Sequence, residues 1–264
     1  MARHSILTDH DLTESYPHVN RLDVTDLKDA LRLGYEDFSH KPSHAIFLTL
    51  IYPIVSFLLI QAAAGRDLLP LIYPLIAGFA LLGPLAAVGL YEMSRQRERG
   101  EEMHWRHAFR IFRSPALANI VSLGAVLAAL FLLWLYSAQA LHLWIMGGAS
   151  SETLNDLLSE ILTTERGWLL ILVGNAVGFL FACLVLAISV VSFPMLLDRN
   201  VDLATAVTTS VRVTLRNPAL IARWGLIVAV GLAIGFLPLG IGLAITLPIL
   251  GHATWHLYRR AVAS

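Results

Sequence analysis

The sequence predicts an all-α polytopic membrane protein, with six transmembrane helices, both termini on the cytoplasmic side, and amphipathic helices along that face. Three observations predict it. Hydrophobic residues make up 56% of the 264 and charged residues only 14%, against roughly a quarter charged in soluble domains. The apolar residues gather in long runs, and about twenty such residues are what a helix needs to cross roughly 30 Å of hydrocarbon. Seventeen of the nineteen lysines and arginines fall in segments that would share one side, leaving Arg66 and Arg166 on the other. Cationic short loops resist translocation, so this bias orients the chain N-in, C-in.

Residues 1–22 are polar and unpatterned, with His4, His10 and His18 scattered among them, and read as a mobile tail. The rest, 23–264, reads as one membrane domain. No apolar core precedes a small-residue cleavage site in the first 44 residues, so the first span is expected to act as the insertion signal. Val24, Leu27, Leu31, Tyr35 and Phe38 recur at spacings of three and four. Asp26, Lys28, Asp29, Arg32, Glu36 and Asp37 fall mostly on the other side, which predicts an amphipathic helix capped by Asp23 or Thr25. It should lie in the interface or on the floor of the bundle.

Spans one and two, about 45–64 and 68–91, form a hairpin across Gly65-Arg66-Asp67. A hydrophilic stretch follows, with a short apolar stripe of Trp105, Ala108, Phe109 and Phe112. Span three, about 116–146, is long enough to tilt. Residues 147–167 are a polar excursion holding a short amphipathic helix, with Leu154, Leu157, Leu158 and Ile161 on one face. Span four covers about 167–196. An amphipathic segment then opens at Asp202 and runs to Asn217-Pro218. Residues 219–256 are too long for one helix, so Pro238 and Gly240 divide them into spans five and six.

A surface helix feeding a hairpin through a proline recurs three times, in units 23–99, 103–200 and 201–264. Asp26-Leu27-x-x-Ala30 matches Asp202-Leu203-x-x-Ala206, with Pro42 and Pro218 twelve residues after each alanine. In the middle unit Pro115 follows Ala108 by only seven. Pro84, Pro194 and Pro248 stand near the inner ends of the second spans, and Arg95 and Arg259 each lie eleven past their proline. This is a parallel repeat, in contrast to the inverted repeats of many carriers.

Candidate chemistry is sparse. No Asp, Glu, Lys or Arg falls in the middle of a span, whereas ion-coupled carriers need such a group to bind and release charge. Asn175 is the most polar mid-span residue and lies between Gly174 and Gly178; Gly231 and Gly235 repeat that spacing. Small residues four apart let helices approach, and an amide can bond across the contact. Substrate binding by Asn175 is the alternative. His252 and His256 share one helix face, a spacing open to a metal or haem, with His44, His104 or His107 as further ligands. Trp255, Tyr258, Arg259 and Arg260 around the pair read instead as interface anchors. Arg95, Arg97, Arg99, Arg106, Arg110 and Arg113 are dense enough to attract anionic lipid headgroups. Cys183 stands alone inside a span, which excludes an intrachain disulfide. Zero net charge argues against nucleic acid as a partner.

The segments Y-P-L-I-A-G-F-A-L-L-G-P-L-A-A-V-G-L-Y-E-M-S-R, S-V-V-S-F-P-M-L-L-D-R and L-P-I-L-G-H-A-T-W-H-L-Y-R-R together resemble the bacterial integral membrane family called domain of unknown function 2189, over about residues 20–262. The resemblance implies an inner-membrane location and adds no catalytic residue. Some members are labelled cytochrome c oxidase subunit I, but a haem-copper subunit needs several intramembrane histidines, and no histidine here falls mid-span. The reading is a non-enzymatic scaffold, assembly factor or subunit that needs no cofactor, touching the bilayer, anionic headgroups and another membrane protein or itself. A carrier or flippase for a neutral or lipid-like molecule is the alternative, and a metal or haem protein the third.

Overall fold

A computed structural model of the chain describes residues 17–43, 69–101, 114–147, 153–237 and 241–263. Span one, His44, His104, His107, Arg106, Arg110, Arg113 and the turn at Pro238 lie outside the described residues. Those described are helical almost throughout: α1 (Val24–His40), α2 (Ile72–Phe79), α3 (Gly83–Ala86), α4 (Val88–Glu98), α5 (Leu117–Met146), α6 (Leu154–Thr163), α7 (Glu165–Ser189), α8 (Ser192–Asp198), α9 (Leu203–Arg216), α10 (Pro218–Phe236) and α11 (Leu243–Ala261). Among the described residues four stretches are long and apolar enough to cross a membrane: Leu69–Glu98, Leu117–Met146, Glu165–Asp198 and Pro218–Phe236. The predicted span six corresponds to α11. Its inner half carries His252, His256, Arg259 and Arg260, and it is not among the four.

Local chemistry sets the breaks. Two 3₁₀ turns, Leu69–Leu71 and Ala80–Leu82, flank α2, and Pro84 sits in the first turn of α3. A proline has no N–H and collides with the carbonyl four residues back, so the helix restarts around it. Pro194 acts likewise in the first turn of α8. Asp23 caps α1 in a reciprocal capping box with Asp26, Thr153 caps α6, and Asp202 caps α9. Each side chain satisfies an N–H that the first helical turn leaves open.

α1 docks against α11 on a face other than the predicted one. The residues it buries are Leu27, Ala30, Gly34 and Asp37, while Val24 stays exposed and Tyr35 is 60% exposed. At 100° per residue the buried face lies roughly a quarter turn from the predicted apolar stripe. Small residues explain the rotation: a Cβ on Gly34 would stand 2.6 Å from the Ala253 backbone nitrogen. Ala30 and Gly34 therefore admit α11 to a distance that the large stripe residues would forbid. On α6 only Leu157 of the predicted face is buried, with Leu154 and Leu158 exposed.

The apolar helices pack through small residues and aromatic rings. Trp134 of α5 packs at a tilt of 58° against Phe181 of α7 with ring centroids 5.8 Å apart, and its Nε1 donates to the Pro74 carbonyl at 2.9 Å. Gly178 faces that tryptophan, and Gly231 and Gly235 face α11. Gly174 faces open space. The large fully buried side chains, including Tyr91, Phe193, Trp224, Trp255 and Tyr258, gather at the end of the bundle that carries Arg95, Arg259 and Arg260.

Candidate functional site

A buried polar cluster lies where α1, α4 and α11 meet. Asp37 comes from α1, Ser94 and Arg97 from α4, and His252 and His256 from α11. Asp37 is 2% exposed, and Ser94 and His252 are fully buried. The Ser94 hydroxyl donates to Asp37 Oδ2 at 2.6 Å, and His256 Nε2 lies 2.8 Å from the same oxygen. Arg97 donates to Asp37 Oδ1. Ser94 Oγ is also 2.8 Å from His252 Nδ1. A hydroxyl has one proton, and here Asp37 takes it. His252 must therefore carry its own proton on Nδ1 and donate to Oγ. Its Nε2 is buried without a hydrogen-bond partner. Burial opposes ionisation of Asp37, but the His256 hydrogen bond and charge, the Ser94 hydroxyl and the His252 charge outweigh it and hold the carboxyl below its ordinary range.

The grouping of serine, histidine and aspartate is not that of an activated nucleophile. There a base takes the hydroxyl proton and a carboxylate orients the base from its far side. Here Asp37 bonds the hydroxyl itself, and neither Ser94 nor His252 reaches the surface. The arrangement ties three helices together. It also engages the two histidines separately, His256 on Asp37 and His252 on Ser94. Among the described residues no three His, Cys, Asp or Glu side chains are placed to hold a metal ion.

Around the cluster, ion pairs knit the same end of the bundle. Arg260 reaches Asp26 at 2.7 Å and Asp29 at 2.9 Å. Arg259 reaches Glu98 at 2.9 Å and Asp198 at 3.3 Å, and Trp255 and Tyr258 donate to those two carboxylates. Arg95 pairs with the buried Glu92 at 2.7 Å and donates to the Leu197 carbonyl. Asn217 accepts from Leu22 N and donates to the carbonyls of Asn20 and Val213. Val19 bridges to Val262. Both ends of the described chain are thereby fastened to the helices.

The structure sorts the predicted residues. His252 and His256 face inward onto α1 and α4, whereas interface anchors would face outward. Arg95 and Arg97 are half-buried and paired, which leaves Arg99 as the exposed member of that series among the described residues. Asn175 accepts from the Tyr73 hydroxyl at 2.7 Å and donates to the Ile171 carbonyl at 2.7 Å, a contact between α2 and α7. Sequence reasoning missed Asp37 and Ser94, and gave Arg97, which pairs with Asp37, to lipid headgroups. The spacing of Leu27, Ala30, Gly34 and Asp37, a stripe of small residues ending in an acid, was the available signal. His142 of α5 is 5% exposed, and neither of its ring nitrogens has a hydrogen-bond partner.

Residues 72–198 match the model of the family described as predicted integral membrane protein (DUF2189). The resemblance read from the sequence thus holds over a stretch that runs from α2 to α8, and the chain is an integral membrane protein with several apolar helices. No curated protein and no solved structure matches it.

Proposed function

We propose that the protein is a non-enzymatic scaffold, assembly factor or subunit of a membrane complex, resident in the bacterial inner membrane, with six spans and both termini cytoplasmic. The exposed face of α7 carries this reading. Leu172 is 71% exposed, Phe179 and Leu180 nearly as much, and Gly174 meets nothing. In a bilayer, apolar surface alone gives helices no reason to associate, and small residues that permit close backbone approach do. Gly174 lies about half a turn from Leu172 and Phe179, on the Gly178 side of α7, and the open space over it is a seat for a partner helix. The test is recovery of a tagged copy from native membranes in mild detergent, wild type beside Gly174→Ile. A membrane protein recovered near stoichiometry with wild type and lost with the variant supports the reading. Wild type recovered alone refutes it.

The charge distribution supports the topology: Arg199, Arg212, Arg216, Arg223, Arg259 and Arg260 flank the cluster end. The three-unit repeat has support in burial. Ala30, Gly34 and Asp37 of α1 match Ala206, Ser210 and Val213 of α9 at equal offsets, and all six are buried. α9 seats on the α7–α8 break, where Ser210 bonds the Ala187 carbonyl and Ser192 bonds the Ala206 carbonyl. α1 seats on α11 in the same manner. A carrier for a neutral or lipid-like molecule has less support, because both ends of the Asn175 amide are already bonded within the protein. A metal or haem protein has less still, with both histidines of the pair engaged by Asp37 and Ser94.

A further inference from the structure

We propose that the cleft between α10 and α11 holds one acyl chain of an anionic phospholipid from the cytoplasmic leaflet, with the Arg223 guanidinium on its phosphate. The cleft measures about 450 Å³, within the range of about 300–1,000 Å³ typical of small-molecule sites. Its walls are aliphatic: Leu226, Val230 and Ile234 from α10, Ile249 and Leu250 from α11, with Gly231 at the floor. Gly231 makes the floor, because a Cβ there would stand 3.0 Å from Leu250. Thr246 is the polar residue in the lining, and its hydroxyl is turned onto the Gly242 carbonyl. The walls therefore offer nothing to a water-soluble ligand.

Charge at one end selects among lipids. Arg223 lies three, seven and eleven residues before Leu226, Val230 and Ile234, which places it on the same helix face at the cytoplasmic mouth. It is exposed and carries no ion pair among the described residues. Arg259 and Arg260, the other cations at that end of the hairpin, are committed to Glu98, Asp198, Asp26 and Asp29. From Arg223 to Ile234 is about 17 Å of helix, close to the roughly 15 Å depth of one leaflet. A headgroup at Arg223 thus sets its chain along the cleft. A lipid without net negative charge gains less from the arginine, and an apolar partner helix gains nothing from it. The site rests on the inward placement of the Arg223 end and is independent of any scaffolding role.

The test uses the full chain exchanged into vesicles of phosphatidylglycerol or of phosphatidylcholine with the same acyl chains, followed by native mass spectrometry of the extracted protein. Wild type is expected to retain one phosphatidylglycerol, about fivefold more often than phosphatidylcholine, the factor for one cation near a membrane surface. Arg223→Gln should fall to the phosphatidylcholine level, Arg223→Lys should keep most of the preference, and Val230→Trp should lose both lipids. Equal retention of the two lipids by wild type, or undiminished phosphatidylglycerol on Arg223→Gln, overturns the proposal. So does a dimer without bound lipid that Val230→Trp dissociates, since the occupant would then be a second copy. Arg223 is a surface residue, so the Gln and Lys pair decides the matter even where Val230→Trp fails to fold.

Discussion

Gly34→Ala sets two physical effects against each other, and they predict opposite signs. Gly34 lies inside α1, where alanine is the better helix former by about 1 kcal/mol. If propensity governed, the variant would be more stable. But the new Cβ would lie 2.6 Å from Ala253 N, 2.7 Å from its Cβ and 2.8 Å from its Cα, where carbon contacts settle at about 3.5–4.0 Å. Two of those neighbours are backbone, so no rotamer change relieves them and α1 must lift by roughly 1 Å. Overpacking of this kind costs about 1–3 kcal/mol. The lift also stretches the Asp37 hydrogen bonds one turn on, and bonds to charged groups contribute about 1.5–3 kcal/mol each. A partial loss of one brings the cost to about 3 kcal/mol, for a net destabilisation of about 2. Thermal unfolding in detergent reads the total, and trypsin cleavage at Lys28 and Arg32, both on the exposed side of α1, reads the undocking. A variant as stable as wild type with α1 equally protected would refute the close contact and the rotated docking face together.

Asp37→Ala strands Arg97 and His256 and should destabilise by about 3–5 kcal/mol, the usual cost of removing one partner of a buried charge pair; the same unfolding assay measures it. The Asp37 carboxyl is held below its ordinary range, so its stabilising contribution is complete above the unfolded value of about 4 and disappears as pH falls through the folded value. The stability difference between wild type and Asp37→Asn should therefore shrink below about pH 4, and a difference that stays constant to pH 2 would contradict the assignment. Asn217→Ala leaves Leu22 N, Asn20 O and Val213 O without their side-chain partner, at about 1–3 kcal/mol for an unsatisfied buried group. Faster cleavage at Arg21, with α10 unaffected, is the expected reading. Tyr73→Phe and Asn175→Ala remove one shared bond, so the double variant should lose less than the sum, with a coupling of roughly 0.6–2 kcal/mol; strict additivity would mean the two side chains do not meet.

Much of the architecture was legible because its causes are local. Apolar runs, proline breaks and the caps at Asp23 and Asp202 are written in a few consecutive residues, and the structure places α5, α9, α10 and the α7–α8 pair within a few residues of the predicted bounds. The cluster was harder to read, because the spacing of Leu27, Ala30, Gly34 and Asp37 marks one face of α1 but a carboxylate on it reads as facing water. On a helical wheel it falls beside Asp26, Ala30 and Leu33 and opposite Lys28. Only the approach that Ala30 and Gly34 permit turns it inward, and that approach depends on α11 more than two hundred residues away. The lack of charge in the middle of the apolar runs concealed a buried carboxylate that an amphipathic helix delivers from outside them. Arginines counted together as a basic face divide in the same way. Arg97, Arg259 and Arg260 have acidic partners on other helices, Arg95 pairs with Glu92 on its own helix, and Arg223 has none among those described.

The two amphipathic helices show what the polar cluster adds. On the repeat reading α1 and α9 make the same kind of seat, Ala-Ser-Val on α9 and Ala-Gly-Asp on α1, with Val213 where α1 has Asp37. The seat of α9 is held by packing and two serine hydroxyls, so a buried charge is not required to dock a helix of this kind. A buried ion pair is weak as a source of stability, because its desolvation cost can exceed the attraction, and its best-attested use is to fix register. Two similar helices and two similar seats create the risk of exchange. A carboxylate that finds Arg97, Ser94 and His256 only between α4 and α11, and at the other seat would stand where α9 buries Val213 completely, distinguishes them. Asp37→Val should then preserve the fold while loosening the register of α1. Cysteine pairs placed across α1 and α11 would report this as cross-linking spread over neighbouring turns, where wild type gives a single pair, and an unchanged single pair would show that packing alone selects the seat.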